Sequence, residues 1–209
     1  ASFGGKTSGA WSKINVLDRV DSIVRSAAAH DGAAIVHRQD FTGVRPRTIP
    51  WMNIEGISSA IVKALSERFP EGLYTHQADA VRRALNGDDV VITTRTSSGK
   101  SLTYAIPLAQ SLLSDPEATA VVCYPQKALA NDQLVKFTEL LPPILAIAGR
   151  DGSNLVARYD GGTPSDVRPH IRKSVHVLLT NPDMLHASVL AWHDKHWQRF
   201  LKGLRYVIL

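Results

Sequence analysis

Gly99, Lys100 and Ser101 close a polar run, Thr94-Arg95-Thr96-Ser97-Ser98, and these residue types in this order can hold the phosphates of a nucleotide. A lysine at this point places its ammonium between the β- and γ-phosphates and neutralises charge that builds during phosphoryl transfer. Ser101 can ligate Mg²⁺ through its hydroxyl. Gly99 lets backbone approach a phosphate where a Cβ would collide. Thr96, Ser97 and Ser98 can add amide donors. The strict phosphate-loop pattern has glycine where Thr94 stands, but Thr94 ends an apolar run, where a β-branched residue is comfortable. The residues predict an ATP or GTP user. Gly5-Lys6-Thr7 imitates the end of such a loop, but no strand precedes it.

The elements that must position this loop are legible as hydrophobic patterns. Residues 89–93 read as a buried strand entering it. A helix leaves it with Leu102, Ala105, Ile106, Ala109, Leu112 and Leu113 on one face. Pro107 interrupts that helix and is expected to kink it. Upstream, residues 77–86 predict a helix stopped by Gly87. Downstream, strands are predicted at 120–124, 155–159, 175–180 and 205–209. Helices at 126–141, ended by Pro142-Pro143, and at 165–173 separate them. Near-continuous apolar strands alternating with helices predict an α/β fold, a mainly parallel sheet with helices on both faces. Ahead of it, residues 1–10 are Gly/Ser-rich. A helical stripe runs through Leu17, Val20, Val24, Ala27 and Ala28, an extended linker through 41–50, and a short helix through 57–69. Residues 11–70 thus form an accessory segment before a main domain at 71–209.

The chain has 209 residues, 44% hydrophobic and 21% charged, enough to bury about 70% of its unfolded surface. No apolar run is long enough to span a bilayer. The first residues lack a charged-then-apolar export signal, and Cys123 is the only cysteine, which excludes an intrachain disulfide and a multi-cysteine zinc site. A reducing, cytoplasmic setting is the expectation. The net charge of +5 suits a polyanionic partner, with basic residues at Arg45/Arg47, Arg82/Arg83, Arg168/Arg172/Lys173 and Lys195/Arg199/Lys202/Arg205. His193-Asp194-Lys195-His196 has a metal-like spacing but no third ligand nearby, and reads as a solvated face. Trp192 and Trp197 are expected to pack against the domain, and His176 to be a satisfied core residue.

Short motifs follow the phosphate loop in a specific order. Leu73-Tyr74-Thr75-His76-Gln77 precedes it, and Pro125-Gln126-Lys127 follows the second strand. Asp160-Gly161-Gly162-Thr163 and Thr180-Asn181-Pro182-Asp183 sit at later strand ends. This order resembles that of superfamily 2 helicases, the DEAD/DEAH-box class, over residues 69–209. The wording is most similar to the bacterial mitomycin-repair DNA helicases and their fungal RecQ-like relatives. The resemblance implies a RecA-like ATP-binding domain in which Tyr74 and Gln77 belong to an adenine-reading glutamine motif. A glutamine amide can donate to and accept from the adenine edge together. It implies that Pro125, Gln126 and Lys127, then Gly161, Gly162 and Thr163, then Thr180, Asn181, Pro182 and Asp183 meet the nucleic-acid backbone. Glycine amides at the second corner, and Thr180 or the following helix start at the third, would hold phosphates. The resemblance further implies a 3′-to-5′ DNA translocase acting in repair, with ATP and Mg²⁺ as cofactors. It also makes Pro107 an ordinary feature of its helix.

The same family has an acidic Asp-Glu motif after a strand like 206–209, then a second RecA-like domain with arginine fingers; no Asp-Glu dipeptide occurs here. The expectation is an N-terminal piece of a longer enzyme, with no ATPase above background by itself. In the family's sheet a later strand lies between the loop-bearing strand and the last one. The alternatives are an RNA-dependent ATPase of the same superfamily, a nucleic-acid binding module without catalysis and, more distantly, a metabolic phosphate-loop kinase.

Overall fold

The structure is a computed structural model that describes residues 22, 25, 26, 47–94 and 98–209. Contacts divide the chain after Arg45, and the elements described below belong to the unit Pro46–Leu209. The apolar stripe from Leu17 to Ala28, the segment 1–10 and the first part of the linker fall outside the described residues, apart from Ser22, Arg25 and Ser26.

The unit opens on β1 (Thr48–Ile49), which pairs antiparallel with β2 (Leu73–Tyr74). Gly72 makes this pairing possible: its φ is +90°, and a Cβ there would stand 2.0 Å from the Ile49 carbonyl oxygen. Between the two strands runs α1 (Ser59–Ser66), capped by the Ser58 hydroxyl, which accepts from the Ala60 amide at 3.2 Å. Ile61 and Leu65 carry its buried face, and the Ser58 amide donates to Gln110 at 2.7 Å, tying the helix start to α3 (Ser101–Ser114). α2 (Thr75–Leu85) follows β2 directly.

A four-stranded sheet forms the centre, with order β4-β5-β3-β6 and every pair parallel. Its strands are β3 (Thr119–Cys123), β4 (Val156–Arg158), β5 (Val177–Thr180) and β6 (Leu204–Ile208). β3 and β5 are buried along their whole length, as continuous apolar runs in a doubly covered parallel sheet must be. One face packs under α1, α2, α3 and the long α4 (Lys127–Ile147), around Ile61, Val81, Ile106, Phe137 and Leu141. The other face carries Val121 and Leu178 against α5 (Arg168–Ser174), α6 (Pro182–Met184) with its π-helical continuation Leu185–Leu190, and α7 (Gln198–Lys202).

Two expectations differ. Residues 89–93 form no strand: they pair with no other described residue, and Val91 is 89% exposed. A strand exists through its neighbour's hydrogen bonds, and hydrophobic pattern alone does not supply them. α4 does not stop at Pro142-Pro143 but continues to Ile147. Its buried stripe runs on through Leu141, Ile144 and Leu145, and this burial outweighs the amide donors the two prolines lack. α3 likewise continues through the buried Pro107.

Candidate nucleotide site and nucleic-acid corners

The phosphate loop is held from one side by the first turn of α2. The Gln77 side chain, 3% exposed, accepts from the Tyr74 amide at 2.9 Å and donates to the Gly99 carbonyl at 2.8 Å. Each end of this amide keeps one further hydrogen or lone pair, the complement an adenine edge requires. Its neighbour His76 sets Nε2 3.1 Å from the Ser98 carbonyl. Gly99 has φ +75°, and a Cβ there would come within 2.4 Å of the Gln77 amide nitrogen. Only glycine suits this position. Thr94 and Ser98 hydroxyls meet at 2.6 Å across the loop, and the Lys100 ammonium donates to the Thr94 carbonyl at 3.0 Å. Ser101 is the first residue of α3. Arg95, Thr96 and Ser97 fall outside the described residues.

Beside the loop opens a cavity of about 620 Å³. Tyr74, Gln77, Gly99 and Ser101 line it on the loop side, and Phe69 and Phe137 line its far walls. Tyr104, also in the lining, donates to Gln133 at 3.1 Å. An aromatic, partly polar cavity joined to a phosphate loop fits a nucleoside. The sequence reading found the loop side of this cavity and missed the rest. Phe69 lies just beyond the end of α1 and Phe137 within α4, and only the tertiary fold brings them together.

The predicted corners lie side by side at the C-terminal ends of β3, β5 and β4. The Tyr124 amide donates to the Thr180 carbonyl at 2.9 Å, and the Tyr159 amide to the Leu179 carbonyl at 2.8 Å. Pro125, Gln126 and Lys127 are exposed at the start of α4. Neighbouring strands are about 4.8 Å apart, so the three corners span about 10 Å. Just before the first corner stands Cys123, whose burial pushes the thiol pKa above its ordinary value.

The second corner is more tightly built than its sequence suggested. Asp160 accepts from the Gly162 amide at 2.7 Å and pairs with Arg158 at 3.1 Å. The Thr163 hydroxyl accepts from the Asp160 amide at 2.9 Å. Arg168 donates to the Thr163 carbonyl at 3.0 Å, and Arg172 to the Tyr159 hydroxyl at 2.8 Å. The Gly162 amide is therefore spent inside the turn. Arg168 and Arg172, counted by sequence among the polyanion-binding charges, serve as struts of this corner. An i, i+4 arginine pair following a Gly-Gly turn was the available signal.

The third corner corrects one assignment. The Thr180 hydroxyl is turned inward and donates to the Tyr159 carbonyl at 2.8 Å, so it is not directed at a phosphate. Asn181 caps α6, its side-chain oxygen accepting from the Met184 amide at 2.8 Å, with Pro182 in the first turn. Pro182 and Asp183 are exposed.

The other residues singled out are also placed. His176 sets Nδ1 2.9 Å from the Ala118 carbonyl, and His193 sets Nδ1 2.9 Å from the Leu190 carbonyl. Trp197 is fully buried, but Trp192 is 46% exposed, with the Lys195 ammonium 5.5 Å from its ring centre; its predicted packing against the domain is not found. Trp192 lies in a run of turns between α6 and α7, where no apolar stripe continues to bury it.

A parallel sheet with a Gly-Lys-Ser loop opening a helix, and with corners gathered at its strand ends, defines a RecA-like nucleotide-binding domain. The family model for the DEAD/DEAH box helicase matches residues 74–209, and the chain belongs to that family. It is 43% identical over 139 residues to the ATP-dependent helicase HRQ1 of Saccharomyces cerevisiae, covering 66% of this chain and 12% of that protein. It is 37% identical over 155 residues to the ATP-dependent helicase YprA of Bacillus subtilis, covering 74% of this chain and 20% of that protein. A crystal structure of the DUF1998 helicase MrfA bound to DNA and AMPPNP superposes with a TM-score of 0.70 at 32% identity, covering 89% of this chain and 25% of that one. The chain thus spans one fifth or less of the two curated relatives.

Proposed function

We propose that residues 71–209 are the first RecA-like domain of an ATP-dependent DNA helicase or translocase, moving 3′ to 5′ and serving DNA repair, with residues 11–70 as an accessory segment. ATP binds through Tyr74, Gln77 and the loop from Thr94, Arg95, Thr96, Ser97 and Ser98 to Gly99, Lys100 and Ser101. The turn at Gly99, whose φ of +75° favours glycine, and the adjoining cavity fit a nucleoside triphosphate. Lys100 orients and neutralises the terminal phosphates, and the Ser101 hydroxyl supplies an oxygen ligand for Mg²⁺, which screens the same charge when bound. The DNA backbone runs over Pro125, Gln126 and Lys127, over Gly161, Gly162 and Thr163, and over Asn181, Pro182 and Asp183, with Thr180 beneath. A second RecA-like domain of the same protein completes the ATP site, and the setting is cytoplasmic.

The observation that carries this reading is the placement of all three corners on adjacent strand ends of the sheet whose β6 edge packs on the loop-bearing helix. The MrfA structure, bound to DNA and AMPPNP, agrees with it. The test is ATP hydrolysis by the full gene product with DNA or RNA added. Stimulation by DNA is expected, and stimulation by RNA alone would replace DNA with RNA as the substrate. In the same protein Lys127→Ala is expected to weaken DNA binding uniformly across sequences. It should lower the log–log salt slope by about one, as the loss of one phosphate contact requires. An unchanged slope would remove Lys127 from the interface.

A further inference from the structure

We infer that His76 is a positioning residue for nucleotide binding, aiming the Gly99 amide at the phosphates from outside the cavity. The inference rests on the ATP-site reading above and adds a residue to it. A carbonyl oxygen can only accept, so His76 Nε2 carries the hydrogen in its 3.1 Å contact with Ser98, whether the ring is neutral or charged. The ring is fixed by stacking on Tyr74, with centroids 5.9 Å apart and planes 18° apart. In a trans peptide the carbonyl and the following N–H point in opposite directions. Drawing the Ser98 oxygen toward α2 therefore turns the Gly99 N–H away from it. Gln77 does the same for the next peptide, turning the Lys100 N–H by holding the Gly99 oxygen at 2.8 Å. Two consecutive residues of one helix thus set two consecutive amides of the loop, which is how an anion-binding concavity of backbone N–H groups is made.

The two residues differ in what else they can do. Gln77 lines the cavity, where a base can meet it, and His76 does not. The effect of His76 is thus confined to the phosphates and is indifferent to the base.

The experiment uses the full gene product and measures the KM for ATP, the inhibition constant of inorganic tripolyphosphate and the thermal midpoint. His76→Phe keeps the ring that stacks on Tyr74 and removes the donor. It is expected to raise the KM and the tripolyphosphate constant by the same factor, about three- to tenfold for one hydrogen bond, with kcat and midpoint close to wild type. His76→Gln, which retains a donor, is expected to recover most of the loss. Should His76→Phe fail to fold, His76→Asn, whose amide is too short to reach the Ser98 carbonyl, is held to the same criteria. Unchanged constants in a folded variant overturn the inference. So does weakening of ATP without tripolyphosphate, which would mean base reading. A lowered midpoint that His76→Gln does not rescue would mean a general structural role and also overturns it. A wild-type protein that neither binds nor hydrolyses ATP overturns the site reading itself, which separates the two failures.

Discussion

Lys100→Ala in the full gene product is expected to lower ATP hydrolysis by at least about a hundred- to a thousandfold, the range seen when one preorganised electrostatic contact to a transition state is deleted. The ammonium already stands at the mouth of the loop, 3.0 Å from the Thr94 carbonyl, at the N-terminus of a fourteen-residue helix. Removing it spares the start of α3, because the Lys100 backbone carbonyl still accepts from the Thr103 amide at 3.0 Å. Lys100→Arg should recover little, since a planar fork replaces a compact point charge. ATP affinity and hydrolysis that survive Lys100→Ala would end the nucleotide-site reading.

The largest stability effect is expected at Trp197. Its indole is fully buried and meets Tyr159 edge-on, at 5.0 Å between centroids and 90° between planes, and Phe200 at 5.6 Å. Trp197→Ala is expected to cost about 3–5 kcal/mol, from lost burial and the cavity left behind. For a domain of this size that lowers the thermal midpoint by about 10 °C. Among the described residues the indole nitrogen has no hydrogen-bond partner. Trp197→Phe should therefore be much milder, since it gives up volume but also removes a buried unpaired donor. Equal losses for the two substitutions would show that packing around Tyr159 is not the source of the effect. DNA binding should weaken together with stability in Trp197→Ala, because Tyr159 leads straight into the turn at 160–163.

Sequence patterns revealed most of the fold because a parallel sheet buries both faces of its strands. β3 and β5 are therefore unbroken runs of mostly apolar residues, buried along their whole length. The loop was legible because Gly99-Lys100-Ser101 combines a backbone requirement with a charge requirement. What stayed hidden depended on neighbours far away in sequence. Residues 89–93 have the composition of a strand, but a ladder needs a partner. Thr180 has a hydroxyl suited to a phosphate, but only the placement of Tyr159 shows that it is used internally. Arg168 and Arg172 count equally in a charge sum whether they face DNA or prop a turn. His76 read as a neighbour of Gln77 until the Ser98 carbonyl was placed beside it.

The hydrogen bond from the Thr180 hydroxyl to the Tyr159 carbonyl, with the ladder bonds on either side, makes the strand-end corners one solid plate. A plate of this kind can hold a filament but cannot crawl along it. If the domain works as proposed, stepping along DNA requires a hinge between this plate and a second gripping surface, with nucleotide turnover driving the swing and the sheet serving as the lever arm.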